Sequence, residues 1–521
     1  MLLHWFSSHM LNIEPRDYQK AILETAKENN TLVVLPTGVG KTLIALMLSI
    51  ERLKKYPLKK ILILAPTKPL VEQHLESFKK ELPELFADLQ IFTGAVPANK
   101  RKEIWQTAEI IFSTPQCVAN DLKKYLYDLK NVSLLVIDEA HRCLKNYDYT
   151  KVVEFYKRQA ENQRILGLTA SPGSEKKQVE EICKHLAVNE MEVRTRESPD
   201  VKPYLQEREF EKIEVPFPAE FMEIRELLKK LYDSKVYQLK KRKLLFGPGN
   251  KITLLKLQKK LAFQAKGRNY MAMIGMSLCA QAIKISHAIE LLETQTISGV
   301  NEYMKGLMKQ AEQKKSKGVQ TLVKSAEFNA AFVNLTHLIA KKTEHPKIEE
   351  LKIYIENEFK EKENPKIMIF SQFRETASTI AKKLNEIPKA NAKLFIGQAK
   401  RTNSSGVTGL SQKEQKKVID EFREGKTNII CATSIGEEGL DIPEVNAVYF
   451  YEPVPSAIRK IQRAGRTARL MPGKLYILIT KNTRDEIYHY ASAAKEKKMY
   501  KTIESVQKEI KSKEKTLRDF R

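Results

Sequence analysis

The chain has 521 residues, with 90 Lys+Arg against 64 Asp+Glu and a formal net charge of +26. Single hydrophobic cores stop growing at roughly 250–300 residues, so two or three domains are expected, and a hydrophobic content of 42% argues against a disordered chain. Apolar runs are short pieces such as Leu43–Leu48, well below the ~18–20 residues of a membrane span, and the first 16 residues, which include His4, His9, Glu14 and Arg16, lack the basic start and cleavage site of a signal peptide.

Short apolar runs alternate with helical patterns over the first 200 residues. Thr31–Leu35, Lys60–Ala65, Leu89–Phe92, Glu109–Ser113, Ser133–Ile137 and Arg164–Leu168 read as strands, with helices such as Lys41–Tyr56 and Pro69–Leu82 between them. Strands fed through helices imply a parallel sheet covered on both faces. Glu209–Pro216 alternates like one more strand. Residues 219–345 then carry long amphipathic helical patterns, including the stripe Ile224, Leu227, Leu228 and Leu231 and a Met-rich stretch, Met271–Met276, that reads as helical core. Alternation returns at Pro346, with strands at Lys366–Ser371, Ala392–Ile396, Asn428–Ala432, Ala447–Tyr451 and Lys474–Thr480. Lys400–Gly409 reads as a loop, and the chain from Arg484 as a helix ending in a Lys/Glu-rich run. The expected fold is α/β: a first domain over 1–205, an all-helical insertion over 206–345, and a second α/β domain over 346–521.

Charge is a statement about partners rather than fold. Residues 221–340 hold 21 Lys+Arg against 8 Asp+Glu, half of the whole excess, and between Lys229 and Arg268 there are 13 basic residues and one acidic one, Asp233. A generally basic surface would spread its charge; this concentration, including Lys240, Lys241, Arg242 and Lys243, points to a phosphate backbone. The five cysteines (Cys117, Cys143, Cys183, Cys279 and Cys431) have no CxxC spacing, which excludes a disulfide scaffold and an obvious zinc site and suits a reducing cytoplasm.

Three stretches carry chemistry. Leu35-Pro36-Thr37-Gly38-Val39-Gly40-Lys41-Thr42 joins a predicted strand to a predicted helix, the setting of a phosphate-binding loop. Small residues let backbone N–H groups turn inward, the helix N-terminus adds positive charge, Lys41 can reach the β- and γ-phosphates, and Thr42 can ligate Mg²⁺. The first Gly of the usual pattern is Leu35 here. Leu134–His141 is an apolar strand ending in Asp138 and Glu139, placed where ligands of open α/β sheets bind. Asp138 can hold Mg²⁺ and Glu139 can orient and deprotonate the attacking water; the bland reading is two acids capping a helix. Ile461–Arg469 places Arg463, Arg466 and Arg469 three apart on one helical face. They read either as a solvated basic face or as arginine fingers whose use requires the two domains to close.

Together these motifs resemble those of superfamily 2 helicases of the DEAH type, from about Ile13 to Lys481. The resemblance implies two RecA-like P-loop domains that hydrolyse ATP with Mg²⁺. It implies adenine reading by Arg16-Asp17-Tyr18-Gln19, with Gln19 as the hydrogen-bonding residue, and a cofactor set of Arg16, Gln19, Pro36, Thr37, Gly38, Val39, Gly40, Lys41, Thr42, Gly439 and Asp441. Lys41, Asp138, Glu139, Gln462, Arg466 and Arg469 would be catalytic, and His141 with Thr169, Ala170 and Ser171 would couple nucleotide state to strand movement. Pro66, Thr67, Lys68, Thr114, Pro115, Ser371, Gln372, Thr433 and Ser434 match the family's nucleic-acid motifs. The helical insertion, with Gly409–Gln415 and Gly436–Ile442, is most similar to the branch that holds FANCM and archaeal Hef, whose members act on forked and branched DNA. Full-length members of the Hef type add a nuclease domain; no ERKxxxD motif occurs here, so nuclease activity is not expected. A double-stranded RNA motor of the RIG-I or Dicer type shares the same motifs, and a non-catalytic clamp would need a broken site, which the intact motif residues disfavour.

Overall fold

The computed structural model describes residues 13–83, 86–267, 269–398, 409–436, 442–467 and 472–519, with side chains as far as 512. Among these residues the strands form two parallel sheets. The first holds β1 (Thr31–Val34), β2 (Lys60–Leu64), β3 (Leu89–Phe92), β4 (Ile110–Ser113), β5 (Val132–Ile137), β6 (Ile165–Thr169) and β7 (Glu190–Val193), in the order β3-β4-β2-β5-β6-β1-β7. The second holds β8 (Arg208–Val215), β9 (Ile367–Phe370), β10 (Ala392–Phe395), β11 (Ile429–Ala432), β12 (Ala447–Phe450) and β13 (Gly473–Thr480), in the order β10-β11-β9-β12-β13-β8. The inner strands are unbroken Leu/Val/Ile runs because helices cover both faces; every residue of β1, β5, β9, β11 and β12 is buried.

Two features differ from the sequence expectation. Glu190–Val193 is a strand that alternation alone did not mark, since it is a short, charged edge with one buried residue, Met191. Arg208–Val215, counted above with the helical insertion over 206–345, pairs along its whole length with β13 and so belongs to the second sheet. The chain thus completes an edge of that sheet before entering the helices.

The insertion comprises the helices Ala219–Lys241, Lys251–Ala265, Tyr270–Thr294, Ile297–Glu312, Lys317–Val323 and Ala326–Ala340. Ile224, Leu228 and Leu231 face its core as the stripe predicts. The Met-rich stretch does not behave as core throughout, because Met271 and Met273 are exposed. Tyr270–Thr294 is by length and composition apolar enough to cross a membrane, which short-run counting missed because small polar residues interrupt it; just over half of its most apolar window is buried in the bundle. The last helix, Arg484–Asp519, returns to the first domain, where Met499, Ile503 and Val506 enter the core beside β7 and the helix Lys176–His185.

Candidate functional site

The parallel register brings the ends of three strands together. Leu35 N–H donates to the Thr169 carbonyl (3.0 Å) and Asp138 N–H to the Leu64 carbonyl (2.9 Å), so the loop after β1, the acids after β5 and the turn after β6 share one edge. Ligands of open α/β sheets bind at this edge.

The loop Leu35–Thr42 runs into the helix Lys41–Lys55, with Gly40 as its N-cap. Gly38 and Gly40 have φ of 82° and 79°, a left-handed backbone that side chains disfavour and that turns successive N–H groups to one side. A Cβ at Gly40 would also fall on the Gln19 amide. Lys41 Nζ donates back to the Leu35 and Pro36 carbonyls (3.2 and 3.1 Å), which holds the ammonium over the loop. A cavity of about 320 Å³ opens beside it, lined by Arg16, Gln19, Gly38, Val39, Gly40 and Thr42 among others. Tyr18 and Gln19 brace the loop: the Tyr18 hydroxyl donates to the Val39 carbonyl (2.6 Å), and Gln19 Nε2 lies 3.2 Å from that oxygen and 3.4 Å from the Gly40 carbonyl. Gln19 Oε1 accepts from Arg16 N–H (2.9 Å), so both ends of the amide predicted to read adenine are engaged with backbone here. The Arg16 guanidinium stacks over the Tyr204 ring, 4.7 Å from its centroid.

Asp138 and His74 form a buried pair, Oδ2 to Nε2 2.9 Å. Burial pushes the Asp138 carboxyl up, but the His74 ring and then Lys41 pull harder, leaving it below the usual carboxylate range. The Tyr149 hydroxyl holds the Asp138 carbonyl (2.7 Å). Glu139 has a left-handed backbone (φ 51°), a strained conformation concentrated at functional sites. Its Oε2 is buried, 3.2 Å from His141 Nδ1, and that same nitrogen lies 3.2 Å from Thr169 Oγ1. Thr169 Oγ1 in turn bonds Ser171, whose hydroxyl meets the Met499 sulfur (2.8 Å) of the last helix, with Ala170 between them half-buried. The four candidate coupling residues are therefore contiguous.

The second domain meets the loop directly. A Cβ on Gly465 would fall on the Thr37 side chain, so Gly465 sits against the phosphate loop with no room for any side chain. Gln462 and Arg466 beside it are buried. Arg463 is fully buried, its guanidinium over the Phe370 and Phe450 rings, and packs the motif rather than facing solvent. Arg469, Gly439 and Asp441 lie outside the described residues.

Of the candidate nucleic-acid residues, Gln372, Ser434, Lys240, Lys241, Arg242 and Lys243 are exposed, and Thr67, Lys68 and Thr114 are half-buried. Pro66, Pro115, Ser371 and Thr433 are buried, each at or just past the carboxyl end of a sheet strand. A second cavity, about 470 Å³, spans the two domains between Lys68 and Pro69 on one side and Lys413, Lys416 and Arg423 on the other.

Sequence reasoning passed over His74 and Glu452. His74 gave no signal, being 64 residues from its partner. Glu452 did: it is an acid just past the apolar strand β12. It accepts from Gln372 N–H (2.5 Å) and Gln295 Nε2 (3.3 Å) and lies 3.4 Å from Ser371 Oγ, joining the insertion to the second domain. Burial pushes its carboxyl up to about 7 against the pull of Arg463 and Lys347.

Comparison with known proteins matches residues 16–179 to the DEAD/DEAH box helicase family, 220–343 to "Putative ATP-dependent RNA helicase, helical bundle" and 346–471 to the helicase conserved C-terminal domain. A crystal structure of the Pyrococcus furiosus Hef helicase domain is 41% identical, with a TM-score of 0.69, over 92% of this chain and 98% of that one. "Putative ATP-dependent RNA helicase MJ1505" of Methanocaldococcus jannaschii is 36% identical over 95% of this chain, and the ATP-dependent DNA helicase mph1 of Neurospora crassa 34% over 92%. The chain spans 61% and 42% of the lengths of these two relatives.

Proposed function

The chain belongs to the DEAD/DEAH box helicase family, with the Hef helicase domain as a relative over nearly its whole length, and from that premise we propose that it is an ATP-driven motor that opens or moves along forked or branched DNA. The observation that carries this reading is the seat of Gly465 on Thr37, which sets the arginine-bearing segment of one domain against the phosphate loop of the other. Phosphoryl transfer is mostly positioning and charge stabilisation, so catalysis would depend on that closure.

In this reading the loop N–H groups and Lys41 bind the nucleotide phosphates. Glu139 takes the proton of the attacking water, and Arg466, with Arg469, offsets charge on the transferring phosphoryl group. Thr42 and Asp138 fit a Mg²⁺ ion, since Asp138 is held in its charged form and Thr42 lies in the first turn of the helix; the ion would supply positive charge at the nucleotide phosphates. Gln19 would have to share or release its loop contacts to reach adenine. His141, Thr169, Ala170 and Ser171 would carry the change in nucleotide state to the last helix. DNA contacts are mostly backbone, from Lys68, Gln372, Ser434 and the insertion lysines, so salt dependence should be strong and sequence preference weak.

ATP hydrolysis measured with single-stranded DNA, duplex, a fork, a four-way junction and double-stranded RNA tests this reading. Stimulation greatest with forks and junctions, abolished by Lys41→Ala and Glu139→Gln, is the expected result. Stimulation chiefly by double-stranded RNA would favour the second reading, an RNA-dependent motor, to which the name of the Methanocaldococcus relative lends support.

A further inference from the structure

The helix Lys68–Glu81 begins at the segment 65–68, which carries the candidate DNA contacts Thr67 and Lys68. Its buried face is Val71, His74, Leu75 and Phe78. The three apolar members pack with Ile61, Ile63 and Phe112 of the first sheet. His74 stands in that stripe where an apolar side chain would satisfy the period, and it is 5% exposed. Its Nε2 meets Asp138 Oδ2 at 2.9 Å. A carboxylate accepts, so Nε2 carries the proton and donates. Nδ1 is buried and has no hydrogen-bond partner among the described residues. The ring is thus committed through one atom to one acid. A buried polar pair of this kind is often no more stabilising than apolar packing, so stability alone is a weak account of it.

Asp138 is held at three atoms. Its N–H donates to the Leu64 carbonyl (2.9 Å), its carbonyl accepts from the Tyr149 hydroxyl (2.7 Å), and Oδ2 accepts from His74. Two of these holds come from either side of the segment 65–68: Leu64 ends the strand just before it, and His74 lies in the helix that follows it. With Oδ2 pinned, the carboxylate cannot turn about its last bond. Thr67 and His74 are two helical turns apart, a rise of about 10 Å on one face, so displacement of the first turn is carried to the ring. A DNA strand drawn to Thr67 and Lys68 and a metal held by Asp138 would therefore act on one rigid unit.

Resting on the reading of the chain as a DNA-driven motor, we propose that His74 is a positioning residue that links the two ligands of the first domain: it sets the Asp138 carboxylate for the metal and ties that setting to the helix whose first turn meets DNA. Each ligand then changes the affinity of the other, by the same factor in both directions.

The test uses the full chain, Mn²⁺ as a paramagnetic stand-in for Mg²⁺, a non-hydrolysable ATP analogue and a fork. His74→Leu fills the apolar stripe and removes the donor; His74→Gln places an amide N–H where Nε2 stood. Mn²⁺ affinity in the presence of the analogue should fall about tenfold in the Leu variant and recover in the Gln variant. Fork affinity is then measured with and without the metal–analogue complex. In the parent the two values should differ about fivefold or more. In His74→Leu the ratio should fall to near one while fork affinity without nucleotide is kept, and His74→Gln should restore it. A His74→Leu protein with the parent's ratio overturns the link, even if its metal affinity has fallen. A Gln variant as impaired as the Leu variant assigns the ring to packing and also overturns it. A parent whose ratio is one, but whose hydrolysis forks stimulate, overturns the link and leaves the motor reading intact. A parent whose hydrolysis ignores every nucleic acid overturns both.

Discussion

The phosphate loop and the tip of the insertion are both read as phosphate sites, yet they are built in opposite ways. In the loop the donors are backbone N–H groups fixed by Gly38 and Gly40, the ammonium of Lys41 is tied to two carbonyls, and Tyr18 and Gln19 brace the turn from behind. At the tip, the end of the helix Ala219–Lys241, the donors are the exposed side chains of Lys240, Lys241, Arg242 and Lys243 on long stems, unpaired with carboxylates among the described residues. A fixed donor set can stabilise charge at one point in space, which is what a transition state requires; a mobile set can only raise affinity. Preorganisation, not the identity of the bound group, separates the catalytic site from the grip.

If that contrast holds, single changes in the loop should be far costlier than multiple changes at the tip. Lys41→Ala and Glu139→Gln should each lower DNA-stimulated ATP hydrolysis about 10³-fold, read in a steady-state assay, with fork binding in the absence of nucleotide kept. Gly465→Val should follow at about 10²-fold. Its side chain would occupy the place of Thr37 and hold the domains apart, so nucleotide affinity should fall far less than turnover. A Gly465→Val protein with normal turnover would break the claim that closure completes the site.

Much of this arrangement was legible in the sequence for a physical reason. The loop, the acids after β5 and the strands around them are local patterns, and local patterns survive in one dimension. The central strands were marked by unbroken apolar runs because both faces are buried; β7 was not, because an edge strand carries charges that hide its period. The adjacency of His141 and Thr169 followed only from motif resemblance. The His74–Asp138 pair, the Thr37–Gly465 contact and the contacts of Glu452 with Gln372 and Gln295 join residues tens to hundreds apart, and nothing in the residue types forecasts them. Ser371 and Thr433 show a limit of another kind: a motif names the segment, while the burial of its side chains is set by the fold.

Glu452 sharpens the comparison from the structural side, since it is more buried than Asp138 or Glu139 but faces the joint with the insertion. Its carboxyl is pushed up to about 7 by burial, opposed by Arg463 and Lys347 and reinforced by Asp485. The folded chain therefore keeps a proton that the unfolded chain releases near its ordinary value of 4.5. The contribution of this group to stability is fully present below 4.5 and is lost as pH rises through 7. Glu452→Gln, which cannot titrate, should gain about 1–3 kcal/mol relative to the parent between pH 5 and pH 8, read as the difference of two denaturation series. A constant difference across that range would mean that the carboxyl stays ionised and its partners outweigh burial.

The smallest effect belongs to the exposed cluster at the end of the helix Ala219–Lys241. Neutralising Lys240, Lys241, Arg242 and Lys243 to Gln should leave thermal stability within about 0.5 kcal/mol, because none of the four is buried or paired among the described residues. Basal hydrolysis should not move. Fork affinity should fall about tenfold, with the salt slope flatter by up to ~3–4, since each lysine that touches a phosphate releases close to one counterion. The discriminating quantity is the ratio of losses. A cluster that holds the second arm of a fork contributes nothing to a single strand lying across the motor domains, so single-strand affinity should fall by less than the fork's. Equal losses on both would make the cluster a general attractor of polyanions, and the insertion would then lend the motor charge without geometry.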